Sequence, residues 1–120
     1  MQEKMTTAGA PDELPPAVVD GRMRQRAIVL VDVREPPEYA AEHIRGALLF
    51  PLSSFDPAAL PGPEGCDLVF HCGSGKRSAA AVARCLEAGI AHRAHMTGGL
   101  QAWKLAGLPT ITPGQGRPAS

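Results

Sequence analysis

Apolar and polar positions alternate along the chain in blocks that predict strands and helices in turn. "AIVLVDV" (27–33) is a near-continuous β-branched run, the pattern of a strand buried on both faces. "ALLF" (47–50) and "DLVFHC" (67–72) are two further buried strands, the first stopped by Pro51. "EPPEYAAEHI" (35–44) places a proline pair at a helix start and follows it with helix formers. Over 77–88, Ala79, Val82, Ala83 and Leu86 recur at i, i+3, i+4 and i+7, an apolar stripe with Arg84 and Glu87 opposite and Gly89 as a stop. "RAHM" (93–96) predicts a short fourth strand, and "GGLQAWKLAG" (98–107) a last helix between glycines. A short helix is expected within 12–23, held by Pro15 and Pro16 to a start near them. "SSFDPAALPGPEG" (53–65) predicts a single helical turn and then a Pro/Gly loop.

Strands alternating with helices define an α/β domain of three layers, with a mostly parallel sheet and helices on both faces. Ligands of such sheets bind beyond the carboxyl ends of the strands. Cys72 falls at one of those ends.

Composition narrows the class further. At 120 residues, 44% hydrophobic and 20% charged, the chain suits one soluble globular domain. Twelve basic residues balance twelve acidic ones, so no overall field draws nucleic acid or a membrane surface, and recruitment of an anion must be local. "MQEKMTTAGAPDELPP" has neither an apolar core nor a small-residue cleavage pattern, so no signal peptide is expected. Cysteines at 66, 72 and 85 make an odd count without repeated spacing, which points to free thiols and a cytoplasmic location. The domain is expected over 12–109, with a flexible lead-in at 1–11 and a flexible tail at 110–120.

The chemistry concentrates in "CGSGKRS" (72–78). Gly73 and Gly75 let a strand-to-helix loop curl tightly, so that successive N–H groups of Gly73, Ser74, Gly75, Lys76 and Arg77 face inward as an anion nest around the Cys72 sulfur. The helix start adds its free N–H groups and positive end, and Lys76 and Arg77 add formal charge. These favour thiolate over thiol and attract an anionic substrate. Cys66 and Cys85 lack this setting and read as structural.

Rival readings fail on spacing. A Walker A loop would need glycine and Ser/Thr where Phe70 and Arg77 stand. No CxxC occurs, and His92 and His95 are spaced to opposite faces of a strand, so no metal is expected. A tyrosine-phosphatase loop has one residue more between cysteine and arginine than the four here, and the tighter ring suits a terminal sulfur better than a phosphate.

Three ordered stretches resemble the single-domain rhodaneses, a sulfurtransferase family. "VDVREPPEYAAEHIRGA" (31–47) resembles its first signature, "HCGSGKRSAAAV" (71–82) its active-site loop and "MTGGLQAWKLAGLP" (96–109) its closing signature. Glu42 stands where glycine often precedes the histidine. The resemblance implies a sheet of four to five strands, the fifth placed by guess at 5–8. It implies covalent catalysis by Cys72, with the loop from Gly73 to Arg77 binding substrate and no cofactor. A small anionic donor such as thiosulfate would load a persulfide on Cys72, and cyanide or a thiol would take the sulfur. The alternative is a persulfide carrier or sensor serving protein partners. Asp32, Arg34 and Glu38 are expected to form a buried polar network, Trp103 to fill the core and His43 to be a hydrogen-bonded structural residue. Whether Arg34 or His43 contributes to the site is left open by the sequence.

Overall fold

The computed structural model describes residues 11–60 and 67–113. Five parallel strands form one sheet in the order β1-β5-β4-β2-β3. They are β1 (Asp12–Leu14), β2 (Ile28–Asp32), β3 (Leu48–Leu49), β4 (Asp67–His71) and β5 (Ala94–Met96). The helices are α1 (Pro16–Arg24), α2 (Pro36–Ala41), α3 (Lys76–Glu87) and α4 (Gly99–Leu105), with single 3-10 turns at Leu52–Ser54 and Pro57–Ala59.

Strand periodicity divides the apolar residues between two cores. Ile28, Leu30 and Val69 face one side, where α1 supplies Val19 and α4 supplies Leu100 and Trp103. Val31, Leu68 and Phe70 face the other, against Ala81, Val82 and Cys85 of α3. Helices therefore cover both faces, as the three-layer reading expects. Trp103 is core filling, and its indole N–H donates to the Pro109 carbonyl at 2.8 Å.

Three expectations need correction. The strand at "ALLF" is not a buried one: β3 is a two-residue edge strand in which Leu48 is 45% exposed and Leu49 half-buried. The fifth strand expected at 5–8 falls outside the described residues. The fifth strand of the sheet is β1, cut from the segment assigned above to a helix. Asp12, Glu13 and Leu14 pair in parallel with Ala94, His95 and Met96, and the helix begins only at Pro16. Proline disfavours helical geometry in the residue before it, so Leu14 and Pro15 stay extended and are free to join an edge.

The buried stripe of α3 is also displaced. Ser78, Ala81, Val82 and Cys85 are buried, while Ala83 is exposed. The helix is turned by one residue, about 100°. A polar residue, Ser78, opens the buried face, and apolar periodicity alone misses it.

At the carboxyl end, Thr110 and Ile111 lie against the first signature. His43 and Ile111 exchange backbone hydrogen bonds of 3.0 and 2.7 Å, and the Thr110 hydroxyl donates to Glu42 at 2.6 Å.

Candidate active site

Cys72 immediately follows β4, the central strand, where the chain leaves the sheet. The loop turns back at Gly75, whose φ of +110° is a conformation L side chains rarely adopt and which caps the start of α3. The turn aims two backbone amides at the sulfur. The N–H of Gly75 donates to Cys72 Sγ at 3.1 Å and that of Ser78 at 3.3 Å. The Ser78 hydroxyl lies 3.7 Å from Sγ.

The residue is only 1% exposed. Burial by itself pushes the thiol up, but the amide and hydroxyl of Ser78, with the amides of Gly75 and Ser74, outweigh it and hold the thiol below its ordinary range. Cys85 provides the contrast. It sits fully buried in the apolar core, and burial pushes its thiol up. Cys66 lies outside the described residues.

The N-terminus of α4 fixes the loop from behind. The amides of Leu100 and Gln101 donate to the carbonyls of Cys72 and Gly73 at 2.8 and 3.1 Å. At Gly99 a Cβ would overlap the Cys72 carbonyl oxygen and lie 2.6 Å from the Gly73 carbonyl carbon. The second glycine of "TGGL" is thus required by direct backbone contact between α4 and the Cys72 loop.

The two loop cations differ. Lys76 is exposed and has no ion pair among the described residues. Arg77 was expected to offer free charge to a donor, yet its guanidinium grips Glu38 with both arms, at 2.7 and 2.9 Å. The pairing holds the Glu38 carboxyl well down, at about 2. Glu38 in turn accepts the N–H of Glu35 at 2.9 Å, closing the capping box of α2. The unfavourable cation beside a helix start is thereby matched by an anion from another helix.

Beneath the site, Asp32 and Arg34 pair as expected, but the third member is His71; Glu38, expected in this buried network, is part-exposed and bound to Arg77 instead. Arg34 donates to Asp32 through Nε and Nη2, at 2.7 to 3.1 Å, and to the Glu42 carbonyl at 2.6 Å. His71 Nε2 stands 3.3 Å from Asp32 Oδ2. Burial pushes the Asp32 carboxyl up, but its hydrogen bonds with His71 and Arg34 prevail and hold it below the usual carboxylate range. All these guanidinium bonds run to Asp32 or Glu42, so Arg34 is a structural member. His43 stacks on Tyr39 with ring centroids 4.0 Å apart and pairs through Nδ1 with the Tyr39 carbonyl at 2.8 Å. It stands in the scaffold behind the first signature.

Beside the loop lies a groove of about 320 Å3, bordered by Glu13, Ser74, Lys76, His95, Thr97 and Gly98. Sequence reasoning missed His95 and Glu13 as neighbours of the loop. His95 Nδ1 lies 2.8 Å from the Ser78 hydroxyl, 17 residues away, and no local spacing signals that contact.

This fold, with its cysteine-bearing loop at the end of a central parallel strand, defines a class. A family model of the rhodanese-like domain matches residues 15–106, and the chain belongs to that family. It is 44% identical over 98 residues to an uncharacterized protein of Synechocystis sp., an alignment covering 82% of this chain and 55% of the relative. It is 35% identical over 86 residues to a sulfurtransferase of Allochromatium vinosum, covering 72% of this chain and 80% of that one. Among solved structures, the rhodanese-like domain of the Anabaena sp. Alr3790 protein superposes with a TM-score of 0.74 at 27% identity, over 90% of this chain and 84% of that one. The chain thus spans about half of the Synechocystis protein and most of the other two. Among the described residues no helix is long and apolar enough to cross a membrane.

Proposed function

We propose that this chain is a thiosulfate sulfurtransferase working through a persulfide on Cys72. One observation carries the reading: Sγ accepts two backbone N–H groups in a loop whose net effect is to favour the thiolate. In the first step the thiolate attacks the outer sulfur of thiosulfate. The S–S bond of the donor breaks, sulfite leaves with its electron pair, and the outer sulfur remains as Cys72–S–S⁻. In the second step cyanide or a thiolate attacks that terminal sulfur, and the Cys72 thiolate leaves. The amides from Gly73 to Arg77 cradle the terminal sulfur, where negative charge persists through the cycle. Lys76 attracts the dianionic donor. Arg77 acts through its grip on Glu38, by holding the loop in shape.

Incubation with thiosulfate followed by intact-mass measurement tests this. A gain of one sulfur atom is expected in the wild type and in Cys85→Ser, and none in Cys72→Ser. Equal gain in the Cys72→Ser protein would overturn the assignment. Sluggish turnover with thiosulfate but rapid exchange with a protein persulfide donor would mark the chain as a carrier serving protein partners.

A further inference from the structure

Ser78 has one hydroxyl proton and three neighbours that could receive it. Its oxygen lies 3.2 Å from the Gly75 carbonyl, 2.8 Å from His95 Nδ1 and 3.7 Å from Cys72 Sγ. All these groups are buried or nearly so, and His95 is 5% exposed. The second ring nitrogen of His95, Nε2, is buried without a hydrogen bond, and the Glu13 carboxylate lies 3.9 Å from it. Glu13 is largely exposed and borders the groove beside the loop. A line of exchangeable groups therefore runs from the sealed sulfur to solvent.

We propose that His95 is a positioning residue that favours the Cys72 thiolate by taking, through the Ser78 hydroxyl, the tautomer whose Nδ1–H donates to Ser78 and turns that hydroxyl toward the sulfur. This deepens the sulfurtransferase reading and rests on it for the role of the thiolate. In the thiol form, S–H donates to Ser78 Oγ and the Ser78 hydroxyl donates to His95 Nδ1, so the neutral ring carries its proton on Nε2. Ionisation shifts one proton from sulfur to oxygen and another from oxygen to Nδ1. The ring is then briefly a cation, and it releases the Nε2 proton past Glu13 to water. The end state is a thiolate that accepts the Ser78 hydroxyl, which itself accepts Nδ1–H. One proton has left the protein and no other bond has changed.

The charged groups around the ring suit this traffic. Glu13 from β1 and Lys76 from α3 border the groove with His95, and Cys72 is the ionisable group at the far end of the line. Burial lowers the ring's proton affinity below that of an ordinary histidine, against the opposing pull of Glu13, so the resting ring is neutral and has one nitrogen without a proton.

The test is the pH profile of Cys72 alkylation by iodoacetamide, with the site assigned by peptide mass. His95→Leu takes away the Nδ1–H that turns the Ser78 hydroxyl toward the sulfur. Its profile is expected to move upward by half to one pH unit, a threefold to tenfold loss of rate at fixed pH below the midpoint (about 1 unit per tenfold). In a Ser78→Ala background the same His95 change should have no effect, because the link is already cut. Coincident profiles for wild type and His95→Leu, or an unaltered His95 effect without Ser78, would overturn the proposal. Should His95→Leu not fold, nitrogen NMR of the wild-type ring decides. Methylation of Cys72 should move the proton from Nδ1 to Nε2, and an unchanged tautomer would sink the relay. Sulfur gain from thiosulfate, measured separately, reports on the parent reading alone.

Discussion

Arg77 and Glu38, 39 residues apart in sequence, are joined by a two-armed ion pair that ties the Cys72 loop to the first turn of α2. Both side chains are more than a third exposed. Its value is therefore geometric more than energetic: it sets where the loop sits without adding much to stability.

Glu38→Gln should accordingly lower unfolding stability by no more than about 1 kcal/mol, measured by urea titration at neutral pH. The Glu38 carboxyl is depressed in the folded state, so the pair stabilises above the unfolded value of about 4.3 and loses that contribution as pH falls toward 2. The gap between variant and wild type should narrow over that window. A gap that widened on acidification would contradict the pairing.

Asp32→Asn should do far more damage. It leaves the Arg34 guanidinium buried beside an amide, and removing one partner of a buried ion pair costs about 3–5 kcal/mol. Because the Asp32 carboxyl is also held below its usual range, wild-type stability should decline as pH drops below the unfolded aspartate value of about 3.9. Chemical denaturation across pH 2–7 checks both points.

Two glycine replacements should move in opposite directions. Gly99→Ala drives a methyl into the Cys72 and Gly73 carbonyls at a φ of +62°, and strain plus overpacking should cost about 2–5 kcal/mol. Sulfur transfer should fall with it, since the loop must shift. Gly21→Ala, inside α1 with nothing near its Cβ, should gain about 0.5–1 kcal/mol and leave transfer intact. Thermal melts and a thiocyanate-release assay distinguish the two.

Lys76→Ala should raise KM for thiosulfate about fivefold with little change in kcat, the effect of a single exposed charge near a dianion. Raising ionic strength from low to physiological should weaken thiosulfate capture less in the variant than in the wild type. A fall in kcat with KM unchanged would instead place Lys76 in the transfer step.

Much of this was legible along the chain because the signals are local. The β-branched run at 27–33 and the apolar run at 67–72 are continuous enough to specify strands, and they appear as β2 and β4 within a residue or two. Cys72 stood out because glycines, cations and a helix start crowd one short loop. The Asp32–Arg34 pair was anticipated through the family resemblance, which wrongly added Glu38 to it.

Other features required the chain to be folded. Leu14 and its neighbours became a strand only because β5 offered an open edge, a choice no local propensity contains. The turn of α3 about its axis follows from the contacts of Ser78 with sulfur and imidazole, which count as polar noise in an apolar pattern. The sequence thus singled out the Cys72 sulfur and the amides of Ser74 and Gly75, because these lie within one loop, whereas the amide of Ser78, a turn further on, was found only in the fold. Tertiary packing alone decided that Arg77 faces Glu38 and that Ser78 faces His95, because each pair is brought together by sheet order and helix placement, across distances that local periodicity does not reach.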